Sequence, residues 1–340
     1  MNMKQSDPSH TLPHIGFIGG DMRQVYAYEY LSSKNYPVSA YGLANGVASG
    51  NLPNILKDAS IFVCGIPFSK DAETLFLTSV PFQKNAPIDI NYFISCLQHR
   101  TLKTKPCFLF AGKIPKKVKE FCQSDNICYH DFLEDENFSA ANALPTAEGA
   151  IMEAIALGNT VLENQKCLVL GYGKCGSVLA QKLKAFDADV TIYTRHPEQK
   201  EYFEKQGFHF FEGQLPYTIN ETITETSDKL SHEKIEETVY DVILKAADME
   251  LFSPSPLAAY TYIFNTVPAL LLDSATLSQL SPGTVIIDIA SLPGGVDYKS
   301  ISSFPVLVKH ALGIPGKIAP KYAGELIAQT ILSSIDENAL

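Results

Sequence analysis

The chain has 340 residues and no apolar run long enough to cross a membrane. Its longest apolar stretches, such as Ile61–Gly65 and Val285–Ala290, extend for about half a dozen residues against the roughly 20 that a spanning helix needs. Met1–Pro13 is polar and has neither the apolar core of a signal peptide nor a basic leader, so a cytoplasmic protein is expected. Positive charge is in deficit: 27 Lys and Arg stand against 37 Asp and Glu, a net charge of −10. That balance argues against a general affinity for nucleic-acid phosphates or anionic lipid. The seven cysteines are odd in number, lie mostly in apolar runs and form no C-x-x-C pair, which speaks against zinc, a redox dithiol or a disulfide framework. No P-loop spacing, internal repeat or low-complexity tract is present.

What is present is an alternation of strand and helix signals in a chain long enough for two domains. Strands are predicted at His14–Ile18, Pro37–Tyr41, Ile61–Cys64, Cys107–Phe110 and Ile127–Tyr129, with helices through Val25, Tyr28 and Leu31, over Ile90–Leu97 and over Lys116–Cys122. The stretch Phe68–Asp89 is poorly periodic. A linker helix carrying Ile151, Ala154, Ile155 and Leu157 is expected to start at Pro145, a residue suited to a first helical turn. Further strands are predicted at Cys167–Leu170, Asp189–Tyr193, Phe208–Phe211, Tyr262–Asn265, Val285–Asp288 and Val306–Val308, a helix through Val178, Leu179, Leu183 and Phe186, and a last helix over about Ala319–Ser334. The expected fold is α/β, with two doubly wound parallel-sheet domains separated by a cleft. The boundaries read 1–144 for an N-terminal substrate or partner domain, 145–316 for the second domain and 317–340 for a helix packing back on the first. Between Glu212 and Glu250 ten acidic residues face three lysines. This 212–260 crossover reads as a solvated amphipathic helix through Leu230, Ile235, Val239, Val242, Ile243 and Ala246, with a partner surface as the alternative.

Gly171-x-Gly173-x-x-Gly176 follows an apolar strand, opens a helix and precedes a second strand, the setting that a dinucleotide fingerprint requires. The second domain is therefore expected to be a Rossmann domain, with Gly171, Tyr172, Gly173, Lys174, Cys175 and Gly176 around a pyrophosphate at a helix N-terminus. The next strand ends in Thr194-Arg195-His196, with no acidic residue to hold a free ribose hydroxyl. A guanidinium there suits the 2′-phosphate of NADP, with NAD as the alternative. Asn265-Thr266-Val267-Pro268 and Ala290-Ser291 follow later strands and are expected to border the nicotinamide, with Asp288 either bracing that loop or exchanging a proton. Asp21 and Arg23 after the first strand, and Thr146 and Glu148 on the linker helix, form the other candidate surface. Arg23 suits a bidentate carboxylate clamp or, equally, a structural ion pair. Lys317 and Lys321 can add positive charge, and His310 is a possible proton carrier.

Six separated motifs in order carry a family resemblance: Gly19-Gly20-Asp21-x-Arg23-Gln24, Asn142-x-x-Pro145-Thr146-x-Glu148-Gly149, the Gly171 fingerprint, Asn265-Thr266-x-Pro268, Asp288-x-Ala290-Ser291-x-Pro293-Gly294-Gly295, and Gly313-x-Pro315-Gly316 with Ala319-Pro320-Lys321. From about residue 14 to residue 333 the chain closely resembles the family of A-type subunits of dipicolinate synthase from spore-forming bacteria, with a longer stretch between Gly213 and Tyr260. The resemblance implies NADP-dependent oxidation of a dehydrated 4-hydroxytetrahydrodipicolinate, a branch of the lysine pathway, in the mother cell during sporulation. It also implies a partner, the flavoprotein-like B-type subunit of dipicolinate synthase, and a homo-oligomer is possible. In this reading Glu148, Asp288 and Lys321 are the candidate catalytic residues, Glu148 or Asp288 for proton transfer. Asp21, Arg23, Thr146 and Lys317 are the candidate substrate contacts, with Arg23 and Lys321 on carboxylates. Two other functions remain open: an NADP-linked dehydrogenase of another amino or hydroxy acid, and a nucleotide-binding scaffold without catalysis of its own.

Overall fold

The computed structural model describes residues 12–43, 47, 50–77, 87–98, 107–213, 215 and 255–338. The chain divides into two compact units, one made of Met1–Pro145 with Gly313–Leu340 and the other of Thr146–Leu312.

The first unit is built on β1 (Ile15–Ile18), β2 (Val38–Tyr41), β3 (Ile61–Cys64), β4 (Phe108–Ala111) and β5 (Cys128–Asp131), all parallel, in the order β2-β1-β3-β4-β5. The central strands are continuous apolar runs, IGFI, IFVC and FLFA, and every residue in them is buried, as a parallel sheet covered on both faces demands. Between them run α1 (Met22–Ser33), α2 (Leu52–Asp58), α3 (Ile90–Gln98) and α4 (Lys116–Ser124). Helix α2 is absent from the sequence reading. Its signal is the Asn51 side chain, which accepts from the Asn54 amide, followed by Pro53 in the first turn.

Helix α5 (Glu136–Gly158) corrects the expected start at Pro145, because the helix begins nine residues earlier and carries Pro145 in its interior. Asp135 supplies the start signal by accepting from the Phe138 amide. An interior proline costs about 3 kcal/mol, and the alanines at 140, 141, 143 and 147 favour the helix on both sides.

The second unit contains β6 (Lys166–Leu170), α6 (Lys174–Ala185), β7 (Asp189–Tyr193), α7 (Lys200–Lys205), β8 (His209–Phe210), β9 (Tyr262–Asn265), α8 (Ser274–Leu277), β10 (Val285–Asp288) and β11 (Leu307–His310). These six strands form a parallel sheet in the order β11-β10-β9-β6-β7-β8. The strand order reverses between β6 and β9, as in a doubly wound dinucleotide-binding sheet. The predicted crossover helix between Leu230 and Ala246 lies outside the described residues.

The chain then returns to the first unit through α9 (Ile314–Ile318) and α10 (Pro320–Asn338). Ile327, Ala328, Ile331 and Ile335 of α10 share one core cluster with Ile15, Phe17, Val25 and Leu31. Close approach of α10 to α1 depends on Gly324, where a Cβ would stand 2.5 Å from the Arg23 carbonyl oxygen.

Candidate functional site

In an open parallel sheet, ligands bind beyond the carboxyl ends of the strands where the strand order reverses. In the second unit that point lies between β6 and β9, and the Gly171–Gly176 fingerprint occupies the β6 side. Gly171 has φ +93°, a conformation that side-chain-bearing residues avoid, and its amide donates to the Tyr193 carbonyl at 2.8 Å. A Cβ at Gly176 would overlap the Gly171 carbonyl oxygen, so only glycine lets α6 start this close to the turn. At Gly173 a Cβ would meet no atom within 4 Å, which leaves room for a phosphate against the bare backbone. Gly173 is also the N-cap of α6 and provides no side-chain cap. A twelve-residue helix thus starts without a side-chain cap beside the open space at Gly173, and the chain's own residues fit a pyrophosphate.

Lys174 and Cys175 open α6, where burial pushes the Cys175 thiol up and the Lys174 charge pulls it down. Tyr172 belongs to an aromatic cluster with Tyr202 and Phe208, its ring packed edge-on against Phe203 at 4.7 Å. Thr194, Arg195 and His196 follow β7 directly. Arg195 is exposed and forms no hydrogen bond or ion pair with any described residue. Thr194 Oγ1 accepts from the His196 amide at 3.3 Å, and His196 Nδ1 meets Glu198 at 3.0 Å.

The loops after β9 and β10 are tied together from below. Asn265 is fully buried; its Nδ2 donates to the Val267 carbonyl and, at 2.8 Å, to Asp288 Oδ1, while its Oδ1 accepts from the Val267 amide. Asp288 is fully buried too and accepts from four donors: Asn265 Nδ2, the amides of Ala290 and Gly295, and the Tyr298 hydroxyl. Burial and this carboxylate push the Tyr298 hydroxyl well above its ordinary range. His310 Nε2 lies 3.0 Å from the Ala290 carbonyl oxygen, which can only accept, so that nitrogen carries the proton there. The His310 ring stacks on Tyr298 at 5.1 Å. Ser291 and Pro268 are both exposed on the two loops.

The geometry separates the two alternatives read for Asp288 and gives Glu148 a partner. Asp288 has both oxygens engaged and no exposed surface, so it braces the loop and is not placed to exchange a proton with a ligand. Glu148 lies on α5 in an exposed ion pair with Lys182, at 2.8 Å. Lys182 is eight residues beyond Lys174 on α6, about 12 Å of helix rise away from the fingerprint turn.

In the first unit the order β2-β1-β3-β4-β5 places the reversal between β1 and β3, and Asp21 and Arg23 sit there. Arg23 Nε and Nη2 donate to Asp21 at 2.9 and 2.8 Å, and Nη2 also donates to the Ile66 carbonyl beyond β3. Asp21 simultaneously caps α1, in a capping box with Gln24. The bidentate edge of Arg23 is therefore spent on Asp21, the structural ion pair of the two alternatives, and not on a two-pronged grip of a ligand carboxylate. Nη1 has no protein partner among the described residues. Gly316 lies against this pair, with a Cβ there 2.8 Å from Asp21 Oδ2 and 2.9 Å from Arg23 Nε. Residues nearly 300 positions apart are thus neighbours, and Lys317 follows immediately. Neither Lys317 nor Lys321, both exposed, has an ion-pair partner among the described residues. Thr146 lies within α5, half buried. The roles of Tyr298, Ile66 and Gly316 have no local sequence signal, since each acts through a partner distant in the chain or by the absence of a side chain.

Residues 14–133 match the family model of the N-terminal domain of the A-type subunit of dipicolinate synthase. Residues 138–312 match the model described as alanine dehydrogenase/PNT, C-terminal domain. The A-type subunit of dipicolinate synthase from Bacillus subtilis (strain 168) is 25% identical over 231 residues, 68% of this chain and 65% of that protein, so the match spans just under two thirds of the relative's length. Among solved structures, the corresponding dipicolinate synthase subunit from Bacillus halodurans superposes with a TM-score of 0.71 at 22% identity, covering 95% of this chain and 97% of that one. The transhydrogenase from Sinorhizobium meliloti superposes at 0.55 with 15% identity, covering 95% and 92%. These structural likenesses show a shared α/β fold.

Proposed function

The chain belongs to the alanine dehydrogenase/PNT C-terminal-domain family, and from that premise we propose that it is a nicotinamide-dinucleotide-dependent oxidoreductase that forms dipicolinate, pyridine-2,6-dicarboxylate. The observation that carries the dinucleotide is the cradle Gly171-Gly173-Gly176 at the sheet reversal, open above Gly173 and closed by glycine-only contacts at Gly176. The substrate follows from the similarity of the first unit to the N-terminal domain of the dipicolinate synthase A-type subunit. Arg195, exposed and without an ion-pair partner among the described residues, supports NADP over NAD.

Loss of water from 4-hydroxytetrahydrodipicolinate leaves a dihydropyridine that is two electrons and two hydrogens above the aromatic product. Bound NADP⁺ supplies the acceptor for one hydrogen as hydride; the other leaves as a proton to water. Aromatisation provides the driving force, so the protein's task is binding and orientation rather than covalent catalysis. Arg23, through Nη1, and Lys317 and Lys321 are the cations assigned to the two carboxylates, with Asp21 fixing the Arg23 guanidinium and Thr146 as a further polar contact. The B-type subunit, a flavoprotein-like partner, completes the enzyme in a sporulating mother cell, in the cytoplasm, at a branch of the lysine pathway.

A second reading is a dinucleotide-binding protein whose partner supplies the proton acceptor. The engagement of Asp288 by four donors and of Glu148 by Lys182 favours it. One experiment separates the two. The purified chain is mixed anaerobically with freshly generated hydroxytetrahydrodipicolinate and NADP⁺ or NAD⁺, with and without the flavoprotein-like partner, while nicotinamide and pyridine-dicarboxylate absorbance are followed together. Coupled formation of NADPH and dipicolinate by the chain alone is the expected result. Product only with the partner supports the second reading, and no nicotinamide reduction in either case overturns the proposal.

A further inference from the structure

Asp288 is a carboxylate with no exposed surface, no ion-pair partner among the described residues and four donors around it. A cluster of this kind is costly to assemble unless every donor is satisfied by the same acceptor, and here all four are. The donors come from three places: the side chain of Asn265 at the end of β9, the amides of Ala290 and Gly295 at the two ends of one loop, and the Tyr298 hydroxyl beyond it. Asn265 passes the restraint on through its bonds to both polar backbone groups of Val267. His310, stacked on Tyr298, fixes the Ala290 carbonyl from the other side. One acceptor therefore sets the shape of both loops at the carboxyl ends of β9 and β10. None of these bonds reaches the fingerprint turn or the end of β7. In the sheet, β10 and β7 are separated by β9 and β6, which puts their ends about 14 Å apart at ordinary strand spacing.

We infer that Asp288 is the positioning residue for the nicotinamide half of the dinucleotide site and has no part in the adenosine half. The inference rests on the dinucleotide reading above. It assigns Asp288 neither contact with the ligand nor a proton to move; the residue acts through Ala290, Gly295, Asn265 and Val267. Asparagine is nearly isosteric but places an NH₂ group against two of the four donors, so Asp288→Asn disturbs the loops without opening a cavity.

The test uses the full chain and two classes of probe, measured by calorimetry: the dinucleotides NADP⁺ and NAD⁺, and the adenosine-half fragments 2′,5′-ADP and 5′-AMP. In Asp288→Asn the dinucleotide that the wild type prefers is expected to bind at least about tenfold more weakly, the scale of one or two lost charge-assisted hydrogen bonds. The matching fragment is expected to keep its dissociation constant within about twofold, since its contacts lie at the fingerprint and β7. Tyr298→Phe removes one donor, leaves the carboxylate in place and is expected to give a smaller loss with the same selectivity; it also serves if Asp288→Asn fails to fold. Equal weakening of dinucleotide and fragment, or no weakening of either, overturns the inference while leaving the dinucleotide site intact. If the wild type binds none of the four probes, the dinucleotide reading falls and the inference falls with it.

Discussion

Thr266 spans the reversal point of the second sheet by giving two hydrogen bonds to one acceptor: its amide at 3.0 Å and its hydroxyl at 2.9 Å both donate to the Leu170 carbonyl. The same side chain lies under Gly171, where a Cβ would meet Thr266 Oγ1 at 2.6 Å. The last residue of β6, the fingerprint turn and Thr266 at the start of the loop after β9 therefore meet at one point.

Gly176→Ala gives the sharpest consequence. Its added Cβ would overlap the Gly171 carbonyl, a backbone atom that cannot swing aside, so α6 must shift away from the turn. Dinucleotide binding is expected to fall by more than about tenfold, with a loss of about 1–3 kcal/mol in stability. Calorimetric titration and denaturant unfolding measure the two. Unchanged affinity would show that the pyrophosphate does not rest on this turn.

Arg195 is expected to set cofactor choice. With no ion-pair partner to lose among the described residues, Arg195→Gln leaves stability unaltered, raises KM for NADP⁺ by about tenfold and leaves KM for NAD⁺ within about twofold. A loss shared equally by both cofactors would remove the 2′-phosphate assignment.

Gly316 is the handle on the first-unit site. Gly316→Ala brings a methyl group to 2.8 Å from Asp21 Oδ2 and 2.9 Å from Arg23 Nε, displacing the ion pair that holds the guanidinium. The dicarboxylate KM is expected to rise by about tenfold as a charge-assisted contact weakens, while dinucleotide affinity stays constant because the fingerprint lies in the other unit. Steady-state kinetics with each substrate varied in turn would show the split.

The buried thiols give a pH dependence of known sign. Burial pushes Cys122 and Cys167 up to about 12 and Cys64 further still. The unfolded chain releases these protons from about pH 9 upward while the folded chain keeps them, so the stability they contribute is full below pH 9 and declines as pH rises toward 12. The melting temperature is expected to drop across that window. Iodoacetamide at neutral pH should label exposed Cys128 long before these three.

Much of the fold was legible because short-range physics writes it into the chain. Fully apolar runs such as Ile61–Cys64 and Val285–Ile287 announce buried parallel strands, and Gly171–Gly176 announces its turn because only glycine meets the demands of that backbone. Pro145 misled, since a proline's preference for a first turn is a local tendency that a strong cap at Asp135 and flanking alanines override. For Asp288 the sequence left bracing and proton exchange open, and Glu148 was named for proton transfer. Nothing adjacent in the chain reveals that four donors close on one or that Lys182 claims the other.

The amino-acid sequence by itself determined the class of the protein: reduced cysteines, alternating strands and helices, a glycine fingerprint in its proper frame and a basic residue where an acidic one would select NAD. These follow from backbone sterics, hydrophobic periodicity and charge, which act over a few residues. Only the tertiary structure decided the order of the strands, the pairing of Arg23 with Asp21 under Gly316, and the burial of Asp288 at the meeting of two loops. Those depend on which surfaces exclude water together and which donors are left needing an acceptor once they have, a condition of the whole packed chain that no short segment can express.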